Sequence, residues 1–430
     1  MFKIKEHNTT YAIEIAAGVT TFLSMAYVMA VNPMILADTG IPREAFFTAT
    51  ILATLFATLI MAFVANLPFA VAPGMGLNVF FVTVAVSQGF GVASALTAVL
   101  ISGILFVILS LSPAREKVLK EVPDCIRAAV AAGIGLMIAH IGLFNSGIIE
   151  SPVAKKQYVL GSLTEGPALL GVIGILVTGV LLARKFKYSL LLSIIIVTII
   201  GIPLGITDVS GLTNGFVSIP PSLDPVFFNF DFSSLASGAF WGIVFSLLFM
   251  EIFDGLAGFL GLFTVMGKRD AERYQPKLGK AFIADSLGVV AGAIFGVSPN
   301  TTYAESGAGI SQGGRTGLTS LVVTILFALC LFLSPLFLLI PNSAVASALI
   351  FVGLLMLTSI KDLNYTDFTE TFPAFVLIIM ICLSFRLSDS LAIGWILYIL
   401  MKFVSGRRSE ITTTVWIVGV IFAIKEVLAN

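Results

Sequence analysis

Three acidic residues stand in strongly apolar surroundings, where a carboxylate has little water to solvate it and is a functional candidate by default. Glu251 and Asp254 are spaced i and i+3 in Phe249-Met-Glu-Ile-Phe-Asp-Gly-Leu-Ala-Gly258, which predicts neighbouring positions on one face of a helix. Glu305 follows the polar stretch Ser298-Pro-Asn-Thr301-Thr302-Tyr-Ala304, and Asp285 is a fourth acid in the apolar run before it. No lysine or arginine lies in an apolar interior except Arg127, near one end of its run. A carboxylate with no cation beside it is costly in its charged form, so it can take up and release a proton, which suits proton coupling. Asp254, Thr301 and Thr302 also offer some of the converging oxygens that a sodium ion would need instead.

A second kind of chemistry comes from backbone. In Asn66-Leu-Pro-Phe69-Ala70-Val-Ala-Pro73-Gly-Met-Gly76-Leu-Asn78, Pro68 and Pro73 disfavour helix for the residues before them. Residues 66–72 are therefore expected to be extended, with a helix beginning around Gly74. The stretch from Ser298 repeats the plan, with a helix expected to open near Tyr303. Each helix start leaves unpaired N–H groups and a partial positive charge, ready for carbonyl or anionic oxygens. Two of them facing one another make a polar pocket without basic side chains.

Other patterns carry less. Gly288, Gly292 and Gly296 form a small-residue face suited to tight helix packing. No phosphate-binding loop exists, because Gly267-Lys268 and Gly279-Lys280 are followed by Arg269 and Ala281. Cys125, Cys330 and Cys382 are scattered, and the two histidines, His7 in the polar tail and His140 at the end of an apolar run, give no metal-ligand spacing. Neither a metal nor a cofactor is expected.

The elements that must position these residues follow from composition. With 58% hydrophobic and 11% charged residues among 430, the chain lies far from an ordinary soluble protein and reads as an all-α polytopic membrane protein. Lys+Arg and Asp+Glu both total 24, which leaves no basic excess for nucleic acid. Fourteen candidate segments lie near 13–36, 44–65, 69–86, 92–112, 122–142, 167–183, 187–206, 236–265, 277–296, 302–314, 316–340, 342–360, 370–385 and 388–404. The run 411–427 is expected to be an interfacial or peripheral helix.

Basic residues orient the chain. They fall on Lys3 and Lys5, on Arg115, Lys117 and Lys120, on Arg184, Lys185 and Lys187, on Lys268, Arg269, Arg273, Lys277 and Lys280, and on Arg315, Lys361, Lys402, Arg407 and Arg408. All of these would be cytoplasmic if the N-terminus is. The opposite connections hold only Arg43, Lys155, Lys156 and Arg386, and the long one at 207–235 carries Asp208, Asp224 and Asp231.

The halves also match. A shift of 218 lays Pro123-Asp-Cys-Ile-Arg-Ala128 over Pro341-Asn-Ser-Ala-Val-Ala346 and Gly135-Leu136 over Gly353-Leu354, while a shift of 226 lays Pro73 over Pro299. Seven segments per half is odd, so the second copy must run in the opposite direction: an inverted repeat.

Four stretches then resemble a known family: Ala17-Gly-Val-Thr-Thr-Phe-Leu-Ser-Met-Ala-Tyr-Val-Met-Ala-Val-Asn-Pro33, Ala72-Pro-Gly-Met-Gly-Leu-Asn78, Thr301-Thr-Tyr-Ala-Glu-Ser306 and Gly313-Gly-Arg-Thr-Gly317. Over essentially its whole length the chain is similar to nucleobase–ascorbate transporters (nucleobase:cation symporter 2), in their AzgA-like purine permease branch. The resemblance implies fourteen spans in two inverted repeats of seven, with short extended stretches in segments 3 and 10. It implies a core domain of 13–112 and 236–340, a gate domain of 113–206 and 341–404, a cytoplasmic tail 1–12, an external loop 207–235 and a C-terminal tail 405–430 with the peripheral helix. It places the ligand between core and gate. Glu251 and Glu305 match the family's base-binding acids, Phe69, Ala70 and Ala304 its backbone contacts, and Asn78 and Asp254 polar positions important in the purine branch. Many branch members carry aspartate where Glu251 stands and threonine at Gly255. A homodimer through the gate domains is implied as well.

The resulting expectation is a secondary active transporter of the cell membrane that imports purine bases (hypoxanthine, guanine or adenine) with a proton, or with sodium. Glu251, Asp254, Glu305, Asp285, Thr301 and Thr302 are the coupling candidates. A transporter of uracil, xanthine or inorganic anions on the same architecture is the alternative, and a polytopic membrane enzyme the remote one, since the carboxylates lack His or Cys partners. The orientation is testable. In a cysteine-free background, single cysteines at positions 210 and 268 should label from opposite sides of the membrane; labelling of both from outside would sink the fourteen-segment arrangement.

Overall fold

The computed structural model describes residues 2–112, 121–151, 158–186, 188–211, 215–267, 274–384 and 386–429. Arg115, Lys117, Lys120, Lys155, Lys156, Lys187, Lys268, Arg269 and Arg273, which carry part of the orientation argument, lie outside the described residues.

The first expected segment is two helices, α1 (Tyr11–Met25) and α2 (Val28–Ala37), separated by a break at Ala26 and Tyr27. Helix α3 (Arg43–Ile60) follows and widens into a looser turn over Met61–Ala65, ending at Asn66 in the left-handed region (φ 49°). Strand β1 (Val71–Pro73) then leads into α4 (Met75–Val82), and α5 (Gly91–Leu111) completes the first group. Next come α6 (Asp124–Asn145), the small hairpin β2 (Ile149–Glu150) and β3 (Val159–Leu160), α7 (Gly166–Ala183) and α8 (Ser189–Gly201). The second half repeats the order. It runs α9 (Gly238–Met266), α10 (Leu278–Phe295), β4 (Asn300–Thr302), α11 (Ser306–Ser311), α12 (Gly317–Cys330), α13 (Ser334–Leu338), α14 (Asn342–Leu357), α15 (Phe368–Ser384), α16 (Leu387–Val404) and α17 (Thr413–Ala429). Among the described residues, nine helices are long and apolar enough to cross a membrane, with shorter apolar helices beside them.

Helices α1, α3, α5, α9, α10 and α12 pack together, and α6, α7, α8, α14, α15 and α16 form a second set of mutual contacts. The closest approach in the second set is between α6 and α14, the pair that the 218-residue shift superposes. A Cβ placed on Gly135 would lie 2.6 Å from the Gly353 carbonyl oxygen, and one on Gly353 would strike the Gly135 carbonyl oxygen in return. Two matched glycines face each other across the local axis of the repeat, and only backbone fits between them.

The two extended stretches cross. Strands β1 and β4 pair antiparallel, Val71 with Thr302, Ala72 with Thr301 and Pro73 with Asn300, and every one of these residues is buried. One expectation moves here: α11 opens at Ser306 rather than near Tyr303. The cause is the ladder itself. The Tyr303 N–H donates to the Ala70 carbonyl (2.9 Å), so the chain stays committed to β1 one residue beyond β4 before it can coil.

Two basic or titratable residues read from sequence as belonging to tails turn out to be buried. His7 stacks on Tyr274 (5.2 Å between centroids) and its Nδ1 lies 2.6 Å from the Tyr274 hydroxyl. Lys402, in the last turn of α16, is inaccessible and holds Glu410 (2.7 Å), Glu370 (2.8 Å) and Asp367 (3.4 Å). The Thr369 hydroxyl and then Arg407 hold the Asp367 carboxyl well below the usual carboxylate range. This cluster leads into α17, which packs on both α16 and α9. Val415, Gly419 and Phe422 form its buried face, while Trp416, Ile417 and Val420 leave the outer face apolar as well.

The glycine pair yields an expected outcome. Gly135→Val places a branched side chain against immovable backbone and should abolish recovery of monodisperse protein in fluorescence-detected size-exclusion chromatography. Gly179→Ala, whose Cβ would meet only the Phe351 ring at 3.5 Å, should be recovered normally.

Candidate functional site

The crossing strands dictate where helix ends face. Gly74 donates its N–H to Pro299 (3.0 Å) and, with an extended backbone, caps α4 without any side-chain bond to the helix's first amides. The N–H groups of Met75, Gly76 and Leu77 thus have no partner within α4, because the first turn of a helix cannot supply one. Gly76 and Leu77 line a cavity of about 580 Å³. Its other walls are Phe249, Met250, Phe253, Asp254, Ala257 and Leu260 of α9, and the opposing face of α6 and α14 from Asp124 to Ile134 and from Met356 to Asp362. The cavity lies between the two sets of helices. Its size is within the range that encloses a small organic ligand.

Asp254 is exposed to this cavity, with Thr301 beside it. Glu251 is not. It is 1% exposed and accepts a hydrogen bond from Ser102 of α5 through Oε1 (2.8 Å). The i, i+3 spacing leaves roughly 60° between the two side chains around the helix axis. That angle is enough to turn one carboxylate into the cavity and the other into the packing between α9, α5 and α10. Asp285 of α10 occupies that same packing. Its Oδ1 accepts from Thr302 (2.9 Å), and a Cβ on Gly255 would lie 2.6 Å from its Oδ2. Glycine at 255 is what lets the Asp285 carboxylate approach α9 beside Glu251. Glu251 Oε2 and Asp285 Oδ2 are both buried with no hydrogen-bond partner among the described residues. Two adjacent acids with one free oxygen each are well suited to hold a proton, since leaving both ionised would cost several kcal/mol.

Glu305 is half-buried and accepts from the Tyr27 hydroxyl through Oε1 (2.6 Å), while Ala304 is exposed. The remaining candidates are structural in their contacts. Phe69 is buried against Phe259 and Phe263, and its carbonyl accepts from Ser320 (2.9 Å). The Ala70 N–H donates to the Ser306 hydroxyl (3.0 Å) and its carbonyl accepts from Tyr303. Asn78 is buried and its Oδ1 accepts from Ser298. Asn78 and Ser298 thereby lock the half-helix after β1 to the strand that precedes α11. Sequence reasoning did not single out Ser102, Tyr27 or Tyr303, whose hydroxyl donates to the Pro73 carbonyl (2.6 Å). Tyr27 and Tyr303 lie inside two of the quoted stretches, so their polar tips in apolar context were the available signal. Ser102 had none, because a serine in a helix usually bonds to its own backbone.

Comparison with known proteins places this arrangement. Residues 12–393 match the Permease family (Xan_ur_permease). The chain is 38% identical over 433 residues to adenine permease AdeP of Escherichia coli (strain K12), covering all of this chain and 96% of that one. It is 37% identical to guanine/hypoxanthine permease PbuO of Bacillus subtilis (strain 168), covering 99% of each. Among solved structures, the transmembrane domain of the cyanobacterial bicarbonate transporter BicA superposes with a TM-score of 0.64 at 17% identity, covering 89% of this chain and 97% of that one. That likeness bears on the fold.

The opposite exposures of the two α9 acids can be read directly. In a cysteine-free background, Asp254→Cys should react with a membrane-impermeant thiol reagent through the mouth lined by Asp124 and Asp362, whereas Glu251→Cys should stay unmodified in the native protein and react only after denaturation.

Proposed function

The chain belongs to the Permease family, whose relatives here are transporters and not enzymes, and we propose that it imports purine nucleobases by proton symport across the cell membrane. One observation carries the reading most directly. The cavity between the two helix sets is entered by uncapped helix amides and one carboxylate, Asp254, with no basic side chain at that depth. Such a set suits a flat neutral ligand with both donors and acceptors on its edges, which is what a purine presents. An anion would need a cation there, and the cavity's one arginine, Arg127, lies toward the mouth and is ion-paired with Asp124.

In this reading Asp254 accepts from the base's N–H edge and the amides of Gly76 and Leu77 donate to a ring nitrogen or carbonyl oxygen. Ala304 and Glu305 complete the contacts from the second half. Glu251, behind Asp254, shares the transported proton with Asp285. The resemblance also gives Glu251 the base itself; in this conformation its carboxylate is covered, and its surroundings support the proton role. Residues 13–112 and 236–340 act as the core and 113–206 and 341–404 as the gate. With the N-terminus cytoplasmic, the mouth at Asp124 and Asp362 faces inward, so the arrangement is the inward-open one, and movement of core against gate gives alternating access. The unpartnered Thr301 hydroxyl beside Asp254 keeps sodium as the competing ion. A homodimer through the gate helices completes the proposal.

Proteoliposome uptake tests it. Labelled adenine, hypoxanthine or guanine should accumulate faster with an inward-directed proton gradient at fixed sodium, and a protonophore should abolish accumulation. Glu251→Gln should remain folded and inserted but lose gradient-driven accumulation. Uptake that follows an imposed sodium gradient instead would overturn proton coupling, and no uptake of any purine would overturn the substrate class.

A further inference from the structure

We propose that Tyr27 is a specificity-determining residue that biases the site against guanine by fixing the Glu305 carboxylate on one oxygen. The proposal rests on the reading above that Glu305 faces the purine.

Consider first what freedom Glu305 has. Its backbone is pinned on both sides. Tyr303, two residues before it, donates its N–H to Ala70 (2.9 Å) and its hydroxyl to Pro73 (2.6 Å). Ser306, the next residue, accepts from the Ala70 N–H (3.0 Å). Residues 303–306 are thus tied to β1 through three bonds, and rotation of its own side chain is what Glu305 has left. Tyr27 removes that rotation. Its hydroxyl donates to Oε1 at 2.6 Å, and its ring is 2% exposed, so it cannot swing away without opening the packing. The tyrosine reaches this point because the first transmembrane segment is interrupted there: α1 stops at Met25, α2 starts at Val28, and Tyr27 stands in the gap. Tyr27 thus holds Oε1, while Oε2 makes no side-chain hydrogen bond among the described residues.

The consequence concerns which purine edges this carboxylate can read. Guanine carries two donors side by side, N1–H and the exocyclic N2–H, which fit the two oxygens of one carboxylate at once. Hypoxanthine has only N1–H on that edge, and adenine presents N1 as an acceptor. A carboxylate whose Oε1 is held in place by a buried tyrosine offers one oxygen freely, so it serves a single donor and withholds the paired grip that favours guanine. Discrimination built on hydrogen bonds of this kind is large, because the wrong ligand leaves a polar group unpaired in a dry site.

Tyr27→Phe removes the hydroxyl and keeps the ring. Initial rates for guanine and hypoxanthine are measured side by side in proteoliposomes of matched protein content. Wild-type uptake of either base first establishes the purine reading, and its absence would fail that reading rather than this one. The variant is expected to raise the guanine-to-hypoxanthine ratio of Vmax/KM by about tenfold, the worth of roughly one hydrogen bond to a charged group. The change should lie in KM, with Vmax within about twofold, whereas a merely structural role would lower Vmax for both bases and leave the ratio alone. In a Glu305→Gln background, with relative affinity read by binding of the same labelled bases to purified protein, Tyr27→Phe should leave the ratio unchanged. A ratio that still moves there would mean that Tyr27 touches the base itself and would overturn the proposal. Tyr27→Met fills similar space without a ring hydroxyl and should reproduce the phenylalanine result. Failure of both variants to reach the membrane would assign Tyr27 to structure alone and overturn it as well.

Discussion

Inside a bilayer an extended backbone is tolerated only if every N–H and C=O finds a partner, and this protein puts two such stretches at its centre. The β1–β4 ladder solves part of that problem, and the side chains around it solve the rest. Thr58 of α3 both donates to and accepts from Val71 (2.9 and 3.0 Å), Ser320 donates to the carbonyls of Leu67 and Phe69, and Ser306 and Tyr303 serve Ala70 and Pro73. Small hydroxyl residues therefore ring the crossing from helices that are otherwise apolar. Because the crossing is satisfied internally, the helix that follows β1 can leave its first amides open to the cavity without exposing the strands themselves.

The second constraint is close approach. Gly135 and Gly353 let α6 and α14 touch along their backbones, Gly255 makes room for Asp285, and Gly76 sits against Ile134 of α6. The first contact holds one helix set together and the last lies across the boundary between the sets. The boundary that must slide is thus in contact at the half-helix whose amides line the cavity. A moving seam that passes the ligand-facing amides ties access to binding in a direct mechanical way.

The acids divide labour by small differences of direction. Asp254 opens to the cavity, Glu251 and Asp285 share a dry space behind it, and Glu305 is held by Tyr27. A fifth acid, Glu14, is wholly buried yet purely architectural: it accepts from the N–H groups of Arg315 and Thr316 and from the Thr319 hydroxyl (2.6 Å), capping the start of α12. Burial of a carboxylate therefore separates function from structure only when its partners are known. Glu14 has its donors in full, whereas Glu251 and Asp285 each keep an oxygen unmatched.

Much of this was determined by the chain alone. Long apolar runs force helices in a membrane, proline pairs force two breaks in them, and Pro123 against Pro341 with Gly135 against Gly353 reveals the repeat, because these are local consequences of residue type. The acids of segments 8, 9 and 10 were visible for the same reason: charge in an apolar run is conspicuous wherever it ends up. Tertiary structure alone decided which way each one faces. A helical spacing of three residues permits two side chains to share a pocket or to part by about 60°, and only the positions of α5 and α10 choose between these for Glu251 and Asp254. The start of α11 at Ser306 was likewise set by hydrogen bonds to a strand some 230 residues earlier in the chain, as the register of β1 with β4 shows. Burial of His7 and Lys402 followed the same logic, since their partners Tyr274, Asp367 and Glu370 are brought to them by folding and are not their neighbours in sequence. Residue types limit what each segment can become, but the partner that satisfies a polar atom is a property of three-dimensional proximity.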